Sequence, residues 1–409
     1  MSELTLAKMS ERDRRYFNGN HYKTEAKELF DLCRSPALSI DGIKKALAFH
    51  PLAFAIRDMN NMLPLHVVCG AFKSGGGSVD VIKYLIEIYP ESVEEGNQKG
   101  DLPLHVACWG GAPLQVVQYL YKKTPKSVRD QERYGGKLWT PGLWTPLHHA
   151  CNGGGSPLEV IRYLVGKCRE SVTRAPLADP NCFPLHLACE KGAQTGVIPY
   201  LVEQWPDVVR LRDSQGCLPL HNACYYVEQT LQLEDIQSLV EEWPDSVKHR
   251  SRVNGATPLH YACGKKTDIG VATGLVQYLM EQWPGAVRVT DWDGRLPLHN
   301  ACMDHQSYNQ YENDKARTPL EDIQRLVEQW PGAVEVRTKN WRYRRGDTSM
   351  SPLSYAAQRS PPDNTLVNWL ELPWRDRKRS RKRSNEGEEG VALKYTRHGD
   401  AVEYIEEFA

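Results

Sequence analysis

The sequence predicts an all-α repeat solenoid, and three observations predict it. First, a Pro-Leu-His frame ending in a small residue and Cys recurs seven times, with its histidine at His66, His105, His148, His186, His221, His260 and His299. Spacings of 35 to 43 residues between these histidines fall in the range that marks solenoids, propellers and arrays. Second, each frame is followed by a block such as Val116-Val117-Gln118-Tyr119-Leu120 or Leu275-Val276-Gln277-Tyr278-Leu279. Its apolar positions follow one helical face. Third, that block closes on Trp-Pro at Trp205-Pro206, Trp243-Pro244, Trp283-Pro284 and Trp330-Pro331, where proline restricts the preceding residue and stops the helix.

The elements of one period follow in order. Proline at the head of the frame suits the first turn of a short helix. A loop, often glycine-rich as at Gly75-Gly76-Gly77 and Gly153-Gly154-Gly155, leads to the longer helix. A valine stands three residues after the closing proline (Val93, Val209, Val247, Val287, Val334). A polar stretch then ends in glycine, as in Asn97-Gln98-Lys99-Gly100, Asp213-Ser214-Gln215-Gly216 and Asp291-Trp292-Asp293-Gly294. Such stretches make tight turns because glycine accepts positive φ.

The ends depart from the pattern as solenoid ends should, since one face of each terminal unit meets water. Leu29 to Leu47 reads as two helices without the frame, and Ser351 to Leu370 as a degenerate pair with Ser354 in the histidine place. The expected organisation is a polar segment over 1–25, a solenoid over 26–372 with caps at about 26–59 and 351–372, and a tail over 373–409. That makes nine helix pairs. The tail is basic and then acidic, and its dense charge predicts disorder.

The frame and turn resemble the ankyrin repeat, whose signature is Thr-Pro-Leu-His-x-Ala followed by a second helix. The resemblance covers roughly 26–372 and implies paired helices with hairpin-like fingers along one edge. It also implies that each histidine bonds across to neighbouring backbone. The repeated Leu-Pro-Leu-His-x-Ala-Cys and Glu-Gln-Trp-Pro-x-x-Val look like the arrays of expanded families in microalgae such as diatoms. Three features depart from the family pattern. Threonine is kept before the frame only at Thr145 and Thr257, the periods are long, and Trp-Pro replaces the usual helix-ending glycine.

Composition excludes several classes. Lysine plus arginine equals aspartate plus glutamate at 51 each, so no global field draws the chain to nucleic acid. No run of apolar residues is long enough to span a membrane, and the first residues lack the apolar core of a signal peptide. A cytoplasmic or nuclear protein is expected. Eleven cysteines, seven of them in the repeated place, read as small buried apolar residues rather than a disulfide framework. His and Cys three apart share a helix face, but neighbouring helices about 8–10 Å apart are too distant to complete a zinc site with bonds of about 2 Å. No phosphate loop, nucleophile elbow or kinase motif occurs. The chain is expected to need no cofactor, to catalyse nothing and to act as a monomer.

A protein-interaction scaffold is therefore the leading expectation. The family's variable positions map onto Gln98, Lys99, Asp101, Trp109, Ser214, Gln215, Tyr225, Tyr226, Val253, Asn254, Trp292, Asp293 and Arg295. Trp109 and Trp292 stand out because no other repeat has an aromatic residue in both places. The four Trp-Pro tryptophans, in equivalent helix ends, read as core. Irregular loops fall at 134–144, 303–318 and 337–347, the last rich in arginine around Trp341 and Tyr343. A second reading is a nuclear regulator, because Arg377, Lys378, Arg379, Arg381, Lys382 and Arg383 form a dense basic run of the nuclear-import type. Contact of that run with nucleic acid is the weaker form of that reading.

Overall fold

The computed structural model describes residues 27–51, 53–124, 144–173, 182–226, 231–264, 272–303, 318–338, 349–357, 364–372, 394–398 and 401–405. Its helices come in pairs. The first pair is α1 (Lys27–Arg34) and α2 (Ile40–Phe49). The framed pairs are α3 (Pro64–Gly70) with α4 (Val79–Ile88), α5 (Pro103–Trp109) with α6 (Leu114–Lys123), and α7 (Pro146–Asn152) with α8 (Leu158–Lys167). They continue with α9 (Pro184–Lys191) and α10 (Val197–Gln204), α11 (Pro219–Tyr225) and α12 (Leu233–Glu242), α13 (Pro258–Cys263) and α14 (Ala272–Gln282), then α15 (Pro297–Cys302) and α16 (Leu320–Gln329). The last pair is α17 (Pro352–Ala357) and α18 (Asn364–Glu371). Each short helix packs on the short helix of the next unit, so the stack grows in one direction.

All seven frame prolines occupy the first turn of a short helix. Where the family's threonine is leucine, that leucine is fully buried: Leu63, Leu102, Leu218 and Leu296 are at most 1% exposed. Apolar packing thus takes the place of a capping hydroxyl. The longer helices bury one stripe, such as Val81, Ile82, Leu85 and Ile86 in α4. The frame cysteines are buried in the same continuous core.

The Trp-Pro signal ends helices as expected. Trp205, Trp243 and Trp330 follow the last residues of α10, α12 and α16, and a short 3-10 turn starts at the proline. These tryptophans are half-buried at the rim of the core rather than inside it. The arginine of the preceding unit covers the exposed face: Arg169 lies 4.9 Å from the Trp205 ring, Arg210 5.5 Å from Trp243 and Arg288 5.7 Å from Trp330. The aromatic face attracts the cation, which ties neighbouring units at their outer edge.

Five fingers lie within the described residues, and in each the N–H of the first residue donates across the turn: Asp58 to Met62 O, Asn97 to Asp101 O, Asp213 to Cys217 O, Ser251 to Ala256 O and Asp291 to Arg295 O. In four of them the first side chain accepts two N–H groups of its own turn; Asp213 Oδ1 does so from Gln215 and Cys217. The finger glycines adopt positive φ, with Asn61 in that conformation in the first finger.

One element departs from the all-α expectation for the chain. The strands β1 (Lys394–His398) and β2 (Ala401–Ile405) pair antiparallel, with Lys394 opposite Ile405 and His398 opposite Ala401. They lie in the segment expected to be disordered. Their sequences alternate polar residues with Tyr395, Val402, Tyr404 and Ile405 around Gly399-Asp400, a pattern suited to a two-residue hairpin. The basic run 377–383 lies outside the described residues.

Candidate functional site: the finger edge and inner helix ends

The frame histidines set the geometry of this edge. In six of the seven frames the N–H before the frame proline donates to the histidine Nδ1, at 3.2 Å for Leu63 to His66 and 3.0 Å for Leu296 to His299. An accepting Nδ1 leaves the proton on Nε2. That proton reaches the next finger: His66 to Asp101 O (3.1 Å), His186 to Cys217 O (3.2 Å), His221 to His249 O (3.1 Å), His260 to Arg295 O (3.0 Å) and His299 to Val336 O (3.0 Å). Burial holds these imidazoles neutral, with His66, His186, His260 and His299 lowered to about 4 and His105 and His221 to about 3. His186 lacks the first bond, and its buried Nδ1 has no partner. These groups are structural bridges between units, so their imidazoles are unavailable for acid–base chemistry.

On this frame sit the exposed apolar side chains. Among the described residues the large exposed hydrophobics are Phe49, Met59, Trp109, Tyr225, Val253 and Trp292. Met59, Val253 and Trp292 lie in fingers, and Trp109 and Tyr225 end inner helices α5 and α11. Three of the six thus lie in fingers, two end inner helices, and Phe49 ends the outer helix α2. Folding left these six side chains in water, while the other large apolar side chains among the described residues are buried or half-buried. Scattered single residues of this kind need no explanation, but a grouped set marks an interaction surface.

Trp292 combines packing with exposure. Its N–H donates to Asn254 O at 2.9 Å. Its indole lies across Gly255, where a Cβ would come within 2.4 Å of the ring and φ is +71°. The glycine lets the ring approach the neighbouring finger closely, yet the residue stays 54% exposed. Around Tyr225 an aromatic cluster forms. Its ring is 4.8 Å from Tyr226 and 5.7 Å from Tyr261, both edge-on. Tyr261 was not among the residues expected from sequence; it follows His260 in the frame, and that variable place was the available signal.

The other expected residues divide by exposure. Gln98, Lys99, Ser214, Gln215 and Asn254 are exposed at finger tips, while Tyr226, Asp293 and Arg295 are half-buried, the last two joined by an ion pair at 2.9 Å. Asp101 corrects the sequence expectation. It is buried, with Oδ1 3.0 Å from His149 Nε2 and Oδ2 accepting from Asn97 at 3.4 Å. Burial would raise its pKa, but the bond and charge of His149 hold it down to about 2. His149 occupies the same frame place as Tyr261, and its ring stands 5.6 Å from Trp144. Asp101 therefore supports the surface from beneath and does not face a ligand.

Arginines stitch the fingers together through backbone carbonyls. Arg57 donates to Asn61 O (2.9 Å) and Gly96 O (3.0 Å), Arg212 to Gly216 O (2.6 Å) and Arg250 O (3.1 Å), and Arg250 to Thr290 O (2.9 Å). No group of three or more His, Cys, Asp or Glu side chains suited to a metal ion occurs among the described residues. No helix among them is long and apolar enough to cross a membrane.

Known proteins resemble the chain to different degrees. The ankyrin repeat family model matches residues 143–174, the unit of α7 and α8. The crystal structure of the human ASB11 ankyrin repeat domain is similar over 62% of this chain and 96% of that chain, at 19% identity and a TM-score of 0.43. None of the curated proteins compared with the sequence is similar to it. The chain thus carries an ankyrin repeat over 143–174, and six more of its units are built on the same frame.

Proposed function

We propose that the chain is a non-catalytic binding scaffold that holds a protein partner along the finger edge and the exposed ends of the inner helices. Ankyrin repeats are generally protein-interaction modules, and one observation carries the reading here. Of the six large apolar side chains left exposed among the described residues, three lie in fingers and two at inner-helix ends. Tryptophan and tyrosine are favoured anchors because they bring large contact area at low entropic cost. The edge is also preorganised, since each finger is closed by its own turn and bridged to its neighbour by histidine and arginine. A rigid surface loses little freedom on binding.

Affinity capture tests this reading. The full chain should retain a partner that the Trp109→Ala/Tyr225→Ala variant loses, with both proteins folded by circular dichroism. Identical retained sets would remove the surface assignment.

A second reading adds nuclear import, carried by the run Arg377 to Arg383. Deleting 375–383 should shift the protein out of the nucleus; an unchanged distribution would remove the targeting role.

A further inference from the structure

Charge is unevenly compensated along the finger edge. Arg212 sits between the Asp213 finger and the Ser251 finger, with its Nη1 on two carbonyls and its Nη2 3.2 Å from His249 Nδ1. Arg252 lies across Gly216, where a Cβ would fall 2.4 Å from the arginine Cβ and φ is +68°. That lays the Arg252 stem against Gly216, whose carbonyl accepts from Arg212. Arg250, exposed, points along the same edge toward Thr290.

None of these three arginines forms an ion pair with a carboxylate among the described residues. Their neighbours Arg210 and Lys248 are matched with Asp207 at 3.9 Å and Asp245 at 2.7 Å. Asp213 is the near acid, but its Oδ1 accepts from Gln215 and Cys217 and its Oδ2 from Asn222 at 3.3 Å. In the Asn97 finger the place of His249 belongs to Glu95, which pairs with Arg57. Burial, and then the charge of Arg252, depress the pKa of Arg212, as like charges held together should.

We propose that this stretch binds an acidic peptide segment of a partner protein, with carboxylates on Arg212, Arg250 and Arg252 and an apolar side chain against Val253 and Trp292. The inference rests on the protein-binding reading above and names the partner's chemistry. Guanidinium forks match carboxylates in geometry as well as charge. Val253, 58% exposed, and Trp292 adjoin the arginines, and that mixture fits an acidic-apolar segment better than a continuous phosphate backbone. The zero net charge of the chain points the same way, because nucleic-acid binding rests on neutralising many phosphates.

The test is fluorescence anisotropy with the full chain and a labelled peptide of repeated Glu-Glu-Leu, against its Gln-Gln-Leu counterpart. The acidic peptide should bind and the neutral one should not, and added salt should weaken binding. Arg250→Gln with Arg252→Gln should weaken it about tenfold, while Lys122→Gln on an outer helix should leave it unchanged. Both arginines are exposed, and an unchanged circular dichroism spectrum of the variant checks that loss of the Arg250 bond to Thr290 O leaves the fold in place. Equal binding by the arginine variant, or no binding at all, would overturn the proposal. Binding that emerges only after removal of 385–409 would assign the site to the chain's own acidic tail and also overturn it. Tighter binding of a short DNA duplex, lost in the same variant, would overturn it in favour of nucleic acid. If the arginine variant keeps a partner whose capture depends on Trp109 and Tyr225, this inference fails and the protein-binding reading stands.

Discussion

The Asp58–Asn97 pair of fingers and the Asp213–Ser251 pair are built alike and charged differently. In both, a histidine of the preceding frame donates to the following finger, His66 to Asp101 O and His221 to His249 O. In both, an arginine donates to its own finger and to the next, Arg57 to Asn61 and Gly96, Arg212 to Gly216 and Arg250. The difference lies beside the stitching arginine and in the finger itself, where Arg250 and Arg252 stand in place of Gly96 and Gln98. Glu95 gives Arg57 a carboxylate, whereas His249 gives Arg212 a ring nitrogen. Shape is thus fixed by bonds to backbone carbonyls, which any sequence supplies. Charge is fixed by side chains that can change without disturbing the frame.

The largest expected effect comes from breaking what the two pairs share. The buried imidazoles titrate near 3 to 4 against an ordinary value of 6.5. Below the ordinary value the unfolded chain binds protons that the folded chain refuses. Stability is therefore full above about pH 6.5 and is lost as pH falls toward 4. Asp322, which burial raises to about 6, acts in the opposite sense, as do Asp235 and Asp291, also raised by burial, but these three carboxyls stand against six imidazoles. We predict steep, cooperative acid unfolding in this window, followed by circular dichroism. A flat stability from pH 7 to 4 would contradict the histidine bridges.

Next in size is removal of one bridge. His221→Leu leaves the Leu218 N–H and the His249 carbonyl without partners and should cost about 3 kcal/mol in urea unfolding.

The arginines sharpen the contrast. Arg57→Met removes carbonyl bonds and a counter-ion together, and should cost about 2 kcal/mol. Arg212→Met removes similar bonds but relieves the repulsion from Arg252, and should cost about 1 kcal/mol less. Equal losses would mean that charge compensation does not distinguish the two pairs. His249→Glu should raise stability by about 0.5 kcal/mol and weaken the acidic peptide.

The smallest effect concerns two related helix starts. Asp235 accepts the N–H of Gln232 at 3.0 Å, but Asp322 faces Pro319, which has no N–H, and its Oδ2 is left without a partner. Pro319→Gln should gain about 0.5 kcal/mol.

Much of this architecture was legible in the sequence. The seven frames gave the short helices, Trp-Pro gave the helix ends, and Asp or Asn with glycine gave the turns, because each signal is local. The exposure of Trp109, Tyr225, Val253 and Trp292 followed from their places in the repeat. The misses are contacts across units. Asp101 carries no mark of its bond to His149, 48 residues away. Nor does Arg212 show from composition that its neighbour will be His249 rather than a carboxylate. Met59 and Phe49 lie in the unit without a frame, where no repeat position could place them.

The measurement that tests the separation of frame from face uses two variants and two readouts, thermal unfolding and affinity for the captured partner. We predict that Trp109→Ala/Tyr225→Ala abolishes partner binding with little change in Tm, because both side chains are already about half exposed. We predict that His221→Leu lowers Tm by several degrees yet binds the partner at temperatures where it remains folded. The opposite pattern, with binding kept by the aromatic variant and lost by the folded histidine variant, would contradict the assignment of the exposed rings to recognition and of the imidazoles to the frame.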